Sequence, residues 1–396
     1  MAHEKFDIVI SGGGVAGLIA AVAFGNAGFT TLCVDPTPPI TNRDQKGADL
    51  RTTAFLQPGI SFLQRIGVWP HVSGDSAPLQ IMRIADAAGD KLIKHDFNAT
   101  DISDMPFGRN VGNWAMRAGL LTRLQDLPNV DFRPSVASTN ILTATTHARV
   151  RLSDATTVHC KMLIAADGRD SPTRQALGIN VKRTTYDQKA LSFAVNHPHP
   201  HSQVSIEVHK TGGPFTLVPL PDYHGQPSSA VVWMDTAAHI EKLHTMPIPA
   251  FNDAATLRSA GVLGDLTLVS GRSSWPIISQ IAKRFYGERT ALIAETAHVV
   301  PPIGAQGLNL SLGDIEALLD LAVATPADIG SPAMLLAYQR ARRLHVRTRV
   351  AGVAALNRAS ISHSPIIGHL RAQGLNLIHR VSPIRKTLMR MGLGAH

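Results

Sequence analysis

Cysteine is almost absent from this sequence. Its 396 residues include only Cys33 and Cys160. They lie far apart in apolar surroundings, which excludes a disulfide framework and points to a reducing, cytoplasmic setting. No apolar run is clean enough for a membrane helix: the stretch from Val9 to Phe24 is broken by Gly12, Gly13, Gly14 and Gly17. No signal-peptide pattern opens the chain, which runs straight into a strand. Metal-ligand clusters are missing too. His197, His199 and His201 alternate with Pro198 and Pro200 in a rigid loop that no Cys or carboxylate cluster accompanies, so no metal is expected.

Acidic residues stop at Asp328. Eleven of the 38 basic residues follow it: Arg340, Arg342, Arg343, Arg347, Arg349, Arg358, Arg371, Arg380, Arg385, Lys386 and Arg390. Apolar residues are interleaved with them. Such a tail reads equally well as a solvated helix face or as a surface for an anionic membrane. The net charge of +9 has no nucleic-acid recognition motif beside it, so no nucleic-acid partner is expected. The apolar fraction of 44% and charged fraction of 17% are those of a globular protein, and the length suits two interleaved domains.

What is present begins at residue 6. FDIVI is an apolar, β-branched run of the kind buried in a parallel sheet. Next comes SGGGVAGLIAAVAFGNAGF, in which Gly12, Gly14 and Gly17 form GxGxxG. Gly12 permits the turn out of the strand, Gly14 lets a pyrophosphate approach the backbone, and Gly17 lets helix and strand pack closely. The helix opening at Val15 and Ala16 offers free N–H groups and a positive dipole end. A second strand, TTLCVD, ends in Asp35, about twenty residues on, where a ribose hydroxyl is bound in dinucleotide folds. This unit predicts dinucleotide binding without separating NAD from FAD.

Period-two stretches such as QVSIEVH, FTLVPL and SSAVVWM predict half-buried antiparallel strands in the middle of the chain. Turn signals at 211–214 and 221–222 separate them. The chain from Tyr338 onward reads as helical and basic.

Four further segments carry a resemblance. ADLRTTAFLQPGISFLQRIGVW (48–69) holds a D-x-R stretch before a helix. LIAADGRDSPTRQALGI (163–179) runs an apolar strand into Asp167-Gly168, with Ser171 and Arg174 beyond. TALIAETAHVVPPIGAQGLNLSLGDIEALLD (290–320) places Glu295 after a strand, then His298, Pro301 and Pro302 in a turn. Gly304, Ala305, Gln306, Gly307, Leu308 and Asn309 follow at a helix start. FGRNVGNWAMRAGLLTRL (107–124) is looser, with Gly112 where a glutamate is usual. Together these resemble the flavoprotein aromatic mono-oxygenases related to p-hydroxybenzoate hydroxylase, and within them the ubiquinone-biosynthesis hydroxylases. The usual Gly-Asp of the third motif is Ala294-Glu295 here, and the second of its later glycines is Ala305.

The resemblance implies an α/β fold. A Rossmann-like FAD-binding domain (1–71, 107–180 and 276–335) is interleaved with an antiparallel-sheet substrate domain (72–106 and 181–275) and followed by a basic helical region (336–396). It implies FAD as cofactor and NAD(P)H as cosubstrate. FAD contacts fall to the first glycine turn, Asp35, Arg51, Arg117, Asp167, Gly168, Glu295, Pro302 and residues 304–309. The Asp-Gly motif serves the nicotinamide as well, although Ser171 equally suits a helix cap and Arg174 a structural partner. The reaction implied is transfer of one oxygen atom from O2 to an electron-rich phenol ring, with water kept out. No catalytic acid or base is nominated. The implied substrate is a polyprenylated phenol. This brings peripheral contact with the inner face of the cytoplasmic membrane and association with other quinone-biosynthesis proteins within the expectation. Two alternatives remain open from sequence: a hydroxylase of a soluble aromatic compound, and a flavin-binding but catalytically silent component of a quinone-biosynthesis complex.

Overall fold

A computed structural model describes residues 4–87, 92–210, 212–361 and 382–393. Its organising element is the apolar strand Glu4–Ser11, flanked in parallel by Thr157–Ala165 and Thr31–Asp35, so that Ile10 faces Ile164 on one side and Cys33 on the other. Val130–Pro134 and Thr290–Leu292 extend the parallel array at its two ends. Ile8, Val9 and Ile10 are wholly buried, as expected of a strand covered on both faces. The helix Val15–Asn26 has almost no polar side because it lies between this sheet and the helices Asn113–Gln125 and Gln306–Ala324. Cys33 and Cys160 are both buried and free.

The second sheet is built on the long strand Val181–Asn196, which pairs antiparallel with Ser273–Ala282 and Gln226–Thr236. Pro214–Tyr223, Val204–His209, Ile81–Asp86 and Ile93–Asn98 continue it. Its core contains an aromatic cluster: Phe193 meets Phe251 edge-on at 4.9 Å, and Phe215 meets Trp233 edge-on at 5.3 Å.

Three expectations need correction. The second sheet is not wholly antiparallel, because Val204–His209 runs parallel to Ile81–Asp86. These strands come from separate visits of the chain to the sheet, so no hairpin imposes opposite directions. A boundary at 275/276 falls inside Ser273–Ala282, whose ladder runs from Ser192↔Ser273 to Val181↔Ala282 with a register shift between Thr185 and Lys189. Likewise a boundary at 335/336 falls inside the helix Pro332–Ile361. Residues 76–79 pair with Gly108–Gly112, which also pairs with Thr52–Leu56, in a small three-stranded sheet.

The basic C-terminal part divides by burial. Arg342 is buried, Arg349 donates to Gln306 Oε1 at 3.2 Å, and Arg385 pairs with Asp101 at 3.2 Å. Arg340, Arg343, Arg347 and Arg358 are exposed. The helix Ser382–Leu393 buries Met389 among Phe97, Ala99 and Phe107. Residues 362–381, with Arg371 and Arg380, lie outside the described residues. Among the described residues no helix is long and apolar enough to cross a membrane, and no cluster suits a metal ion.

Candidate functional site

Three adjacent parallel strands end at one edge of the first sheet, and each releases a motif there. Ser11 leads into the glycine turn, Ala165 into Asp167-Gly168, and Leu292 into Ala294-Glu295. Backbone hydrogen bonds keep these exits side by side: Gly12 N to Val34 O at 2.8 Å, Ala166 N to Ser11 O at 2.8 Å, and Ile293 N to Ala165 O at 3.1 Å. This is the carboxyl edge where open α/β sheets bind ligands.

The glycine turn is packed from below and open above. Gly12 has a φ of +107°, and a Cβ on it would lie 2.4 Å from Ala166 O. A Cβ on Gly17 would lie 1.8 Å from Gly12 O. Gly14, by contrast, faces open space. Asp35 closes the turn by accepting from Gly13 N at 2.6 Å and from Thr37 N at 2.8 Å. Each carboxylate oxygen retains a lone pair for a ribose hydroxyl. Gly13, which the sequence marks only as a break in an apolar run, is also packed: a Cβ there would lie 2.8 Å from the Asp35 side chain and 2.9 Å from Phe132.

Asp167 has its carboxylate engaged within the protein. It accepts from the Ser171 hydroxyl, from Thr173 N at 3.0 Å and from Thr296 Oγ1 at 3.1 Å. Arg174 is buried and donates to Thr296 O at 3.0 Å. Ser171 also caps the helix Pro172–Ala176 by accepting from Arg174 N at 2.9 Å. The Asp-Gly segment therefore braces the Glu295 turn, while Gly168 presents open space. Glu295 lies on the short helix Ala294–Ala297 and pairs with Arg169 Nε at 3.3 Å.

The group that sequence reading missed is Asp49. Arg51 grips it with two donors, Nε and Nη2, each at 2.8 Å. Asn113 Nδ2 adds a third at 2.9 Å and Arg117 Nη2 a fourth at 3.4 Å. Burial pushes the Asp49 carboxyl up, but Arg51, Asn113 and Arg117 outweigh it and hold the group below the usual carboxylate range. Asp49 thus gathers Arg51 and Arg117, which are far apart in sequence. Arg51 also lies 5.6 Å from the Trp275 ring of the second sheet and within electrostatic reach of Glu295. The D-x-R spacing was the available signal, since an acid two residues before an arginine can form this bidentate pair.

His298 is not part of the proline turn. It belongs to an edge strand of the second sheet, opposite Ile281, and is buried against Asp314. The turn Pro301–Ala305 follows, ending in Gly304 and Ala305 at φ +63° and +57°. Asn309 Nδ2 donates to Ala54 O at 2.8 Å and to Ala305 O at 2.7 Å, and its Oδ1 accepts from Leu56 N at 3.1 Å. Its side chain clamps the helix start to Thr52–Leu56. Gln306 Nε2 donates to Gly304 O at 2.7 Å. Leu308 packs on the core, Pro302 is half-buried, and Gly307 faces open space.

The donor set suits a dinucleotide. The helices Val15–Asn26, Asn113–Gln125 and Gln306–Ala324 all begin without a side-chain cap or an acid in the first turn. Apart from Asn113 N, which donates to Arg51 O at 2.9 Å, their leading N–H groups can therefore receive an anion or a carbonyl edge. The clear space at Gly14, Gly168 and Gly307 is where a cofactor can approach the backbone. On the second-sheet side, Val232, Trp275 and Ile303 form a partly buried apolar wall with Tyr186.

Comparison with known proteins agrees with this geometry. Residues 5–353 match the family model described as FAD binding domain. The chain is 29% identical to the ubiquinone hydroxylase UbiL of Rhodospirillum rubrum, over 99% of this chain and 90% of that protein. It is 27% identical to the human mitochondrial ubiquinone biosynthesis monooxygenase COQ6, over 97% of this chain and 92% of that protein. Among solved structures, p-nitrophenol 4-monooxygenase PnpA from Pseudomonas putida superposes with a TM-score of 0.79 at 16% identity, covering 99% of each chain. PqsL from Pseudomonas aeruginosa superposes with a TM-score of 0.76 at 19% identity, over 91% of this chain and 97% of that one.

Proposed function

Because the chain belongs to the FAD-binding-domain family and is an FAD-dependent mono-oxygenase drawing electrons from NAD(P)H, we propose that it hydroxylates the ring of a polyprenylated phenol in ubiquinone biosynthesis. The observation that carries this reading is the extent of the likeness. Similarity to ubiquinone hydroxylases runs through the cofactor segments and the second sheet alike, over 99% of the chain.

FAD, when bound, supplies the redox chemistry, and one oxygen atom of O2 ends on the ring. The chain's own residues bind, orient and shield. Asp35 and Glu295 offer carboxylates to the ribose and ribityl hydroxyls. The helix starts at Val15 and Gln306 offer N–H groups to the pyrophosphate and the flavin edge, while Asp49 presents Arg51 and Arg117 to the same region. Val232, Trp275 and Ile303 keep water from the reacting ring. A silent flavin-binding role draws no support from the Ala294-Glu295 departure, since Ala294 keeps the left-handed turn at φ +54°.

Deletion of the gene in its host tests the reading. The quinone pool, profiled by mass spectrometry, is expected to lose ubiquinone and accumulate a prenylated phenol short of one ring oxygen. An unchanged pool in a host without a second such hydroxylase overturns the quinone assignment and favours a soluble aromatic substrate.

A polyprenyl chain resides in the bilayer, so the reading includes peripheral membrane contact. Arg340, Arg343, Arg347 and Arg358 share one exposed helix face with Leu344, which is 72% exposed. Each cation near an anionic surface contributes about 1 kcal/mol. Arg343→Glu combined with Arg347→Glu is expected to weaken sedimentation with phosphatidylserine vesicles by more than about tenfold. Binding that survives both this change and high salt contradicts the contact.

A further inference from the structure

Ala294 stands in a left-handed conformation, with φ at +54°, where a side chain is disfavoured and glycine is at home. Its N–H donates to Asp314 Oδ2 at 3.2 Å. Asp314 is fully buried on the helix Gln306–Ala324. The same oxygen accepts from His298 Nε2 at 2.6 Å, and Oδ1 accepts from Arg342 Nε at 2.8 Å. Burial alone raises the Asp314 pKa, but His298 and Arg342 outweigh it and hold the group below the usual carboxylate range.

Arg342 reaches this point from the helix Pro332–Ile361. Its Nη2 also donates to Leu310 O at 3.0 Å. Gly313 makes the approach possible, since a Cβ there would lie 2.9 Å from both terminal guanidinium nitrogens. That accounts for a glycine inside a helix, where alanine would be more stable by about 1 kcal/mol. Three elements therefore meet at one carboxylate, and one of the groups it holds is the backbone N–H of Ala294, the residue before Glu295. The same C-terminal helix touches the other cofactor segment, where Arg349 Nη1 donates to Gln306 Oε1 at 3.2 Å.

We propose that Asp314 and Arg342 are positioning residues for the cofactor: through the Ala294 peptide they hold the left-handed turn that presents Glu295 to the flavin's ribityl chain. This rests on the reading of Glu295 as a cofactor-facing group. The anionic Asp314 supplies the acceptor, Arg342 fixes its orientation, and the hold compensates for the missing glycine. Neither residue meets the reacting atoms.

The test is FAD affinity of the apo-protein, read by quenching of flavin fluorescence, with apo-protein Tm measured beside it. Wild type, Arg342→Met, Ala294→Gly and the double variant form a cycle, with Arg342→Lys and Glu295→Ala alongside. Arg342→Met is expected to weaken FAD binding about tenfold, and Arg342→Lys by about threefold or less. In the Ala294→Gly background the Arg342→Met loss shrinks below about threefold, because glycine adopts the turn unaided. Glu295→Ala weakens binding about tenfold. Equal losses from Arg342→Met in both backgrounds, or a lower Tm with unchanged FAD affinity, overturn the positioning role alone. Unchanged affinity in Glu295→Ala overturns the assignment of Glu295 and the proposal with it. Should Arg342→Met not fold, Arg342→Gln, which removes the charge but keeps a polar side chain, carries the same comparison between backgrounds with the same expected losses.

Discussion

Gly17→Ala is expected to destabilise the apo-protein by about 3 kcal/mol or more, whereas Gly14→Val, at the N-cap of the helix, costs about 1 kcal/mol or less and weakens FAD binding about a hundredfold. The two glycines sit five residues apart at most from every part of the same motif, yet they answer to different constraints. A methyl group on Gly17 would be placed 1.8 Å from Gly12 O, and Gly12 cannot retreat because Ala166 O lies behind it. The helix must then lift from the sheet, uncovering core residues such as Ile10 and Leu18. Gly14 has extended backbone, at φ −64° and ψ 177°, and nothing within 4 Å of where its Cβ would project. A side chain there projects into the space that a ligand takes when it approaches the start of the helix. Urea unfolding of the apo-proteins and titration with FAD separate the effects. A Gly14→Val protein that loses stability in step with affinity would assign this glycine to packing.

Asp49→Asn is expected to lower stability at neutral pH by about 2 kcal/mol and FAD affinity by about tenfold. The stability figure is set below that of a fully buried pair because the Arg51 side chain is 41% exposed. Without the charge, Arg51 and Arg117 repel each other and Arg51 loses its bidentate partner. The pH dependence has a definite sign. Asp49 titrates below its ordinary value in the folded protein, so its contribution is full above the unfolded carboxyl's pKa of about 3.9 and is lost as pH falls through the lower folded value. The difference in urea midpoint between wild type and Asp49→Asn should hold constant from pH 7 to about pH 5 and close below about pH 4. A gap that persists undiminished at pH 3 would mean that the charge is not what matters.

Local chemistry explains which parts of this architecture were legible in the sequence. Glycine spacing, apolar runs and strand-ending acids report on contacts within about twenty residues, and they placed the glycine turn, Asp35 and the start of Gln306–Ala324. Partners distant in sequence left no such trace. Nothing near Asp49 indicates that Arg117 will reach it, and nothing near Asp314 announces Arg342. The parallel pairing of Ile81–Asp86 with Val204–His209 is equally non-local. Asp167 shows a subtler limit. Its position at a strand end pointed to a ligand, but Ser171, Thr173 and Thr296 surround its carboxylate, and only Thr296 comes from far along the chain. For His298, proline neighbours suggested a turn, while pairing with Ile281 drew it into a strand. In sequence the alanines at 294 and 305 are simply departures from the motif. The backbone gives them meaning, because both occupy left-handed positions.

FAD held at this sheet edge would supply the oxygen-transfer chemistry for a quinone precursor that the chain positions. The most direct test of this is the quinone profile of the deletion strain after complementation with wild type and with Gly14→Val, at matched protein levels. Wild type should restore ubiquinone and clear the under-hydroxylated prenylated phenol, while Gly14→Val, folded but with FAD binding weakened about a hundredfold, should leave most of that phenol in place. Full restoration by Gly14→Val would contradict the account and identify the chain as a component that the quinone pathway needs for something other than flavin chemistry.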